Sequence, residues 1–344
     1  MNRRNFLAAA GMTLPGYLLA DTKDGEIVGH GNFRYRVDKY WSKADKKKYP
    51  VKNCHEMIQA PDGRLFLLTD HPQNNIIIYD TDGNVQDSWT LNMRGAHGLT
   101  IDGECDVPYL LITDTKGRVV KTDLKGNVLM ELKTAAAVKA YSSSQAYRPT
   151  ETAIAPNGDI YVIDGYGSQY ILHYDAKGNF VRKFGGKSTQ PVNKGKFMQA
   201  HGIALDSRGK EPLLVCTARL RNEFHWYTLA GKYVKSVYLP GVYMSRPVIH
   251  GDELYSGVCF GTYPNDFRGW VKRGFIVILD KDNKLVSAPG AHEPKYNSQG
   301  KLEHLYQKTP VVENCHDVCV DSEGNLYACQ WNAGRVYPYK FTKV

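Results

Sequence analysis

A repeated unit of short apolar strands and turns accounts for most of this chain. Its clearest copy is the segment 148–186, RPTETAIAPNGDIYVIDGYGSQYILHYDAKGNFVRKFGG, which reads as three or four strands rich in β-branched and aromatic residues. Each run is too short for a helix and ends on turn residues. Because one such unit exposes two sheet faces that it cannot bury alone, it predicts further copies of itself.

The strand that follows the first turn of the unit recurs along the chain. Its copies are RLFLLTD at 64–70, YLLITD at 109–114, DIYVID at 159–164, LLVCTA at 213–218, ELYSGV at 253–258 and NLYACQ at 325–330. Successive copies are roughly 40 to 50 residues apart, which is the period of a four-stranded propeller blade. Six copies predict an all-β fold, a six-bladed β-propeller.

The two ends of the chain are expected to close this ring. The segment Asn32–Trp41 alternates apolar and charged residues like a strand, and the last repeat, from Cys315, has room for only three strands. An N-terminal strand that completes the last blade would leave no free edge at the closure. We therefore expect the propeller in residues 53–344, preceded by a segment with the closing strand in residues 21–52.

Residues 1–20, MNRRNFLAAAGMTLPGYLLA, have the pattern of a twin-arginine export signal, with two arginines before a weakly apolar stretch. The apolar part is too short to span a bilayer. This pattern predicts a periplasmic or extracellular protein with no transmembrane anchor after cleavage. The alternative is a disordered basic N-terminus.

The composition and charge of the chain restrict the classes of ligand and partner that we expect it to bind. The formal net charge is +9, with a visible source in the run Lys43–Lys48. No helix or aromatic platform accompanies that run, so a solvated loop is favoured over a nucleic-acid surface, and a preference for anionic ligands remains. We expect a monomer that binds a small-molecule or peptide substrate and no nucleic acid.

Histidine stands at four of the six blade openings, where the innermost strand of each blade meets the central channel. The motifs are NCHEM with His55, AHGLTID with His97, AHGIALD with His201 and NCHDVCVD with His316. Blades two, four and six alternate around the ring, so three of these imidazoles would approach the axis about 120° apart, as in a three-histidine metal site. Zinc, iron or manganese would suit His97, His201 and His316, with His55 as a fourth ligand or a neighbouring donor. The alternative is that these histidines satisfy backbone groups of the channel wall.

Two further residues at the mouth of the central channel are candidates for a catalytic or substrate-binding role. Tyr166 follows the second strand of blade three, where a nearby dication and an arginine would lower its pKa and make it a base. Arg219 occupies the comparable corner of blade four and can hold a carboxylate or oxyanion. The alternatives are a packing tyrosine and a surface arginine.

The chain contains few cysteines, and their number is odd. Seven cysteines leave at least one unpaired within the chain. Cys54 and Cys315 each precede a channel histidine in matching Asn-Cys-His triplets on blades that adjoin when the ring closes. Because neighbouring Cβ atoms of a strand point to opposite faces, we expect a disulfide or buried thiols rather than metal ligation.

Taken in order, these motifs resemble the peptidylglycine α-amidating lyases, a family of six-bladed NHL-type propellers. Segment 148–185 is similar to the third blade of that family, AHGIALD to the fourth and the segment 315–342 to the last. The resemblance implies zinc on His97, His201 and His316, with catalytic Tyr166 and substrate-binding Arg219. It also implies a structural calcium ion on Asp317 and on main-chain carbonyls near Leu99 and Met57.

The chain also departs from the family pattern. Gly167 stands where the family has a cysteine, the region of Asp70 and His71 lacks the family arginine, and Asn314 replaces a methionine. The expected function is an exported metal-dependent lyase that breaks a carbon–nitrogen bond. Alternatives are a metalloenzyme acting on a sugar or hydroxy acid, through a carbon–oxygen bond, and a non-catalytic NHL propeller that binds a peptide, glycan or protein.

Overall fold

A computed structural model describes residues 25–103, 105–190 and 194–344. Within these residues the chain forms 26 β-strands and one short 3-10 helix. The predicted export signal, residues 1–20, lies outside the described residues. None of the helical structure in the described part of the chain has the length and apolarity needed to cross a membrane.

The strands form six separate antiparallel sheets. Two strands, β1 (Ile27–His30) and β2 (Phe33–Asp38), precede the first of these blades along the chain. The first blade consists of β3 (Cys54–Gln59), β4 (Leu65–Thr69), β5 (Ile76–Tyr79) and β6 (Val85–Trp89). The second consists of β7 (Ala96–Asp102), β8 (Tyr109–Asp114), β9 (Arg118–Asp123) and β10 (Val128–Glu131).

Blades three and four follow the same plan. The third blade consists of β11 (Glu151–Ile154), β12 (Ile160–Ile163), β13 (Tyr170–Tyr174) and β14 (Phe180–Gly185). The fourth consists of β15 (Ala200–Asp206), β16 (Leu213–Ala218), β17 (Glu223–Thr228) and β18 (Tyr233–Tyr238). A 3-10 helix, Arg219–Arg221, lies between β16 and β17.

Blade five carries an extra hairpin. It consists of β19 (Tyr243–His250), β20 (Glu253–Tyr263), β22 (Phe275–Leu279) and β23 (Leu285–Ser287), and the additional strand β21 (Asp266–Trp270) pairs with the end of β20. Blade six is built from both ends of the chain. It contains β24 (Cys315–Val320), β25 (Leu326–Gln330) and β26 (Tyr339–Lys343), followed by β2 and then β1.

The prediction of a six-bladed propeller closed by an N-terminal strand is confirmed. The closing strand β2 pairs with β26, with Val37 opposite Phe341. The N-terminal region contributes one strand more than expected, because the chain turns back at Gly31 and β1 pairs with β2 on the outside of the blade. Gly31 has a φ of +56°, a conformation that favours glycine in such a tight turn.

The core lies between neighbouring blades. Six hydrophobic clusters occupy the six interfaces around the ring; the one between blades one and two, for example, joins Phe66 and Ile78 to Leu110. The middle strands are buried on both faces, which explains why they read as continuous apolar runs such as IYVI in β12. Fully burying each such side chain contributes about 1.5–3 kcal/mol, so the ring of interfaces holds the innermost strands in fixed positions around the axis.

Candidate metal centre

The four channel histidines occupy matching irregular positions in their strands. The pairing register shifts across the histidine in each of the four innermost strands that carry one: β3, β7, β15 and β24. A β-bulge leaves a residue out of the ladder and re-aims its side chain, and bulges are frequent beside active sites. The same local irregularity therefore turns four imidazoles toward the propeller axis.

These side chains form a compact group, here called the histidine cluster: His55, His97, His201 and His316. The ring centroid of His97 lies 5.0 Å from that of His55, 4.8 Å from that of His201 and 4.7 Å from that of His316. Nitrogens of His55, His97 and His316 lie within 4.8 Å of one another. The predicted triad is His97, His201 and His316, whereas His55 takes the place of His201 among these three mutually close nitrogens. The ring of His201 still lies within 4.9 Å of those of His97 and His316.

Odd-numbered blades orient two of the histidines of the even-numbered blades, His97 and His316. Nδ1 of His97 donates a hydrogen bond to the carbonyl oxygen of Thr150 at 2.9 Å, and Nδ1 of His316 donates to the carbonyl oxygen of His55 at 2.9 Å. A carbonyl can only accept, so these bonds fix the tautomer and leave each Nε2 with a lone pair. Histidines that bind metals in proteins are held in this way.

Three other nitrogens of the cluster lack hydrogen-bond partners. Both ring nitrogens of His201 and Nδ1 of His55 are buried without a hydrogen bond. Buried polar atoms are nearly always paired in folded proteins, so three such atoms beside two oriented lone pairs fit a site for a cation. Imidazole nitrogen is a ligand that zinc, iron and manganese accept.

The protonation state also suits a metal. Burial, followed by the charges of neighbouring imidazoles and of Arg219, lowers the pKa of His97, His201 and His316 well below the usual value. The folded chain therefore holds these rings neutral at physiological pH. Only a neutral imidazole can donate its lone pair to a metal ion.

His55 has a carboxylate neighbour at the mouth of the channel. Its Nε2 lies 3.6 Å from Oδ2 of Asp70. Oδ1 of Asp70 accepts a hydrogen bond from the backbone nitrogen of Asn53 at 2.9 Å, and Oδ2 accepts one from the side-chain nitrogen of Asn53 at 2.8 Å. Burial opposes ionisation of Asp70, but the hydrogen bonds from His55 and Asn53 outweigh it and keep its pKa low. The site thus contains a fixed negative charge where the resemblance leads one to expect an arginine.

Tyr166 lies against the histidine cluster, in the loop between β12 and β13. Its hydroxyl donates a hydrogen bond to Nε2 of His97 at 3.2 Å. Burial raises the pKa of this tyrosine, and the nearby guanidiniums of Arg219 and Arg148 offset only part of that effect. A lowered pKa is expected with a dication and an arginine nearby; in the protein without a cation, burial has the larger effect and the pKa is raised.

Arg219 is buried rather than exposed on the surface. It begins the 3-10 helix of blade four, and its Nε and Nη2 donate to the carbonyl oxygen of Met244 at 3.1 Å and to Oγ of Ser245 at 3.0 Å. Its guanidinium lies over the ring of Phe260, with Cζ 5.6 Å from the ring centroid. These contacts fix the guanidinium next to Tyr166.

A cavity of about 400 Å³ is lined by His55, His97, His316, Tyr166 and Arg219, whereas His201 is not among its lining residues. Several lining residues were missed by the sequence analysis: Lys52, Arg94, Arg148, Cys259, Phe260 and Trp331. They follow no repeat of the blades, so the sequence held no signal for them. Asp70 did carry one, because an Asp ends or directly follows the second strand in each of the first three blades, at Asp70, Asp114 and Asp164.

The calcium site implied by the resemblance does not fit this chain as it stands. A guanidinium, that of Arg246, donates hydrogen bonds to both carboxylate oxygens of Asp317 at 3.0 Å, to the carbonyl oxygen of Leu99 at 2.8 Å and to that of Met57 at 3.1 Å. These are the groups that the resemblance assigned to calcium. The expectation of calcium on Asp317 is corrected, because a positive side chain already satisfies its oxygens.

The glycine at position 167 and the state of the cysteines also follow from the local structure. A Cβ at Gly167 would lie 2.1 Å from Oδ1 of Asp164, so no side chain fits there. All seven cysteines are free thiols. Cys54 and Cys315 are therefore buried thiols, the second of the two expected states, and each Sγ contacts a backbone carbonyl oxygen.

Comparison with known proteins gives two curated relatives. A probable peptidyl-α-hydroxyglycine α-amidating lyase of Caenorhabditis elegans is 28% identical over 323 residues, which cover 92% of this chain and 80% of that protein. The chain resembles the peptidyl-α-hydroxyglycine α-amidating lyases. Peptidyl-α-hydroxyglycine α-amidating lyase 1 of Drosophila melanogaster is 24% identical over 281 residues, 75% of this chain and 47% of that protein. Both amidating-lyase relatives support assignment of the chain as a lyase.

Solved structures agree on the architecture. A streptogramin B lyase superimposes with a TM-score of 0.56 at 13% identity, covering 93% of this chain and 99% of that one. A virginiamycin B lyase of Staphylococcus aureus with quinupristin gives 0.52 at 12% identity, over 94% and 98% of the two chains. At such identities the likeness shows the fold alone. No protein-family model matches this chain.

Proposed function

We propose that this protein is an exported, metal-dependent lyase that cleaves the carbon–nitrogen bond of a peptidyl α-hydroxyglycine. The observation that carries the proposal is the convergence of four buried imidazoles, three of whose nitrogens lack partners, beside Tyr166 and Arg219. The curated relatives, both named for this reaction, support the substrate class. The twin-arginine pattern of residues 1–20 supports export.

In this proposal His97, His201 and His316 hold one divalent ion, and His55 is the fourth imidazole of the site. A divalent cation there would polarise the hydroxyl or carboxylate oxygens of the substrate. Three protein ligands leave a tetrahedral ion with one open position, which a catalytic site requires. Nε2 of His55 lies 3.6 Å from Oδ2 of Asp70, and in this proposal His55 supports the site without being needed to retain the ion.

Tyr166 is the proposed proton carrier. Cleavage requires that the substrate hydroxyl lose its proton as its oxygen becomes a carbonyl, while the carbon–nitrogen bond breaks and the departing amide nitrogen gains a proton. These changes balance, giving an amide and glyoxylate. As a phenolate, Tyr166 would accept the first proton and return it to nitrogen; the two nearby guanidiniums and a bound divalent cation would favour that deprotonated form.

Arg219 is the proposed anchor for the substrate carboxylate. Its guanidinium is fixed by Met244 and Ser245 and needs no reordering when an anion binds. Arg94, Arg148 and Lys52 line the same cavity and add positive charge. Attraction of an anionic substrate into this mouth follows from that distribution.

One observation favours a second candidate. Asp70 places a carboxylate in the cavity where the resemblance leads one to expect an arginine, and its neighbour His55 gives the site an additional polar pair. A polar pair of this kind suits a sugar or hydroxy acid, with loss of water through a carbon–oxygen bond. Both candidates use the same metal site, and they differ in the substrate that fills the cavity.

The test is direct turnover. Purified protein loaded with zinc, and in parallel with iron or manganese, is incubated with an N-acyl α-hydroxyglycine, and glyoxylate release is measured against the spontaneous rate. The proposal expects metal-dependent release that Tyr166→Phe abolishes. Metal-loaded protein that leaves this substrate untouched but dehydrates a hydroxy acid supports the second candidate, and a protein inert toward both contradicts both candidates.

A further inference from the structure

A second polar group lies on the axis, further along the innermost strands from the histidine cluster. Four oxygen-bearing groups from three blades face one another there: the carboxylates of Asp317 and Glu56 and the main-chain carbonyls of Met57 and Leu99. We call these the axial oxygen ring. Arg246, from blade five, inserts its guanidinium among them and is itself buried.

The ring is satisfied by this one side chain. Nε and Nη2 of Arg246 donate hydrogen bonds to the two carboxylate oxygens of Asp317. Nη1 donates to the carbonyl oxygen of Leu99, and Nη2 also donates to that of Met57. Nη1 lies 3.6 Å from Oε2 of Glu56. A guanidinium offers five donors in a rigid plane, which matches a ring made only of acceptors.

Backbone N–H groups also hold the carboxylate oxygens in place, so the ring is a preformed site. The backbone N–H of Met57 donates to Oδ2 of Asp317 at 3.0 Å, and that of Leu99 donates to Oε2 of Glu56 at 2.6 Å. Glu151, from blade three, adds a third buried carboxyl nearby, with its Oε2 unpaired. Carboxylates and main-chain carbonyls are the ligands that Ca²⁺ prefers.

We propose that the guanidinium of Arg246 takes the place of a structural metal cation. The side chain of Arg246 then stabilises the propeller at its axis, and the protein needs no calcium there. The guanidinium supplies positive charge to oxygens from blades one, two and six while being carried by blade five. Four blades are thereby tied together at one point. This inference does not depend on the proposed lyase activity.

Local structure shows how the chain admits the arginine. The pairing register of β19 shifts between Met244 and Pro247, which turns Arg246 inward in the way that the histidines are turned in their own strands. On the neighbouring strand a Cβ at Gly202 would lie 2.5 Å from the Cα of Arg246, so only glycine allows this approach. Arg246 also lines the cavity of about 630 Å³ at the opposite mouth, and so separates that mouth from the histidine cluster.

The first test uses the wild-type protein. Calcium content is measured after gel filtration from excess calcium chloride, and the melting temperature is measured with and without that calcium. The proposal expects no bound calcium and an unchanged melting temperature. One calcium per chain, with a higher melting temperature in its presence, would overturn it, and this arm holds whether or not any variant folds.

The second test removes the guanidinium. Arg246→Ala leaves an oxygen-lined space, so the variant is expected to melt below wild type and to regain several degrees in calcium, with about one ion bound per chain. The matched control is Arg208→Ala, which breaks another buried ion pair, with Asp206 at 2.8 Å, away from the axis. A folded Arg246→Ala protein that responds to calcium no more than this control would show that the ring is not a cation site.

Discussion

The hydroxyl of Tyr166 lies 3.2 Å from Nε2 of His97, the nitrogen that His97 leaves available once its Nδ1 is bonded to the carbonyl oxygen of Thr150. The proposed proton carrier and a proposed metal ligand are therefore neighbours, and one blade supplies both the tyrosine and the carbonyl that orients the histidine. Thr150 also donates through Oγ1 to the carbonyl oxygen of His201 at 2.7 Å. Blade three, whose innermost strand carries no histidine, thus contacts the channel histidines of both blades beside it.

Replacing Tyr166 tests its proposed role as a proton carrier. Tyr166→Phe removes one oxygen and leaves the ring packing in place, so kcat is expected to fall by about 10²- to 10⁴-fold while the metal content stays the same. The matched control is Tyr161→Phe in the same blade, whose hydroxyl donates to the carbonyl oxygen of Leu229. Equal activities for the two variants would exclude Tyr166 from the chemistry.

Arg219 is expected to act through substrate binding. Arg219→Lys keeps the charge but loses the planar pair of donors, and a hydrogen bond to a charged group contributes about 1.5–3 kcal/mol, so kcat/KM should fall by about 10- to 150-fold. Most of that change is expected in KM. Arg221→Lys, in the same helical turn but paired with Glu223, is the comparison and should behave like wild type. A loss confined to kcat would contradict the role of a carboxylate anchor.

The buried imidazoles predict how stability depends on pH. His97, His201 and His316 stay neutral in the folded, metal-free chain, whereas in the unfolded chain each binds a proton below about pH 6.5. The unfolded state then binds more protons, so the free energy of unfolding decreases as pH falls below about 6.5 and is insensitive to these groups above it.

Urea unfolding of the metal-free protein across this range measures the effect. Each imidazole that titrates only when unfolded lowers stability by about 1.4 kcal/mol per pH unit. The double variant His97→Gln/His201→Gln should show a shallower pH dependence than wild type. An equally steep dependence in both proteins would mean that these rings do not govern it.

Much of the fold could be predicted from the sequence because it repeats. Turn residues and β-branched runs recur in each blade, and the three-strand remainder at the C-terminus predicts closure by an N-terminal strand, which β2 provides. The histidine motifs were visible for the same reason: His97 and His201 stand at equivalent positions of two blades. Repetition reveals what each blade shares.

Features unique to one blade could not be found in this way. Arg246 opens blade five like an ordinary strand residue, and nothing in its neighbourhood indicates that its guanidinium reaches oxygens from three other blades. Trp331 and Cys259 reach the cavity from loops and strand ends whose positions depend on the whole ring. The raised pKa of Tyr166 likewise follows from burial, which a residue's neighbours in sequence do not report.

Export is tested by the two arginines of the N-terminal pattern. Arg3→Lys/Arg4→Lys keeps the charge of the segment but removes the paired arginines, so the protein is expected to accumulate inside the cell at its full length. Fractionation of cells that express wild type and variant measures the change. Unchanged distribution of the two proteins would contradict twin-arginine export.

The central claim is that the histidine cluster holds a metal ion, and metal analysis of the natively purified, tag-free protein tests it most directly. The account predicts about one zinc, iron or manganese ion per chain in wild type and in His55→Ala, since three ligands suffice, and none in His97→Ala/His201→Ala. Wild-type protein without a transition metal, even after incubation with each ion, and a double variant that is equally well folded would contradict it.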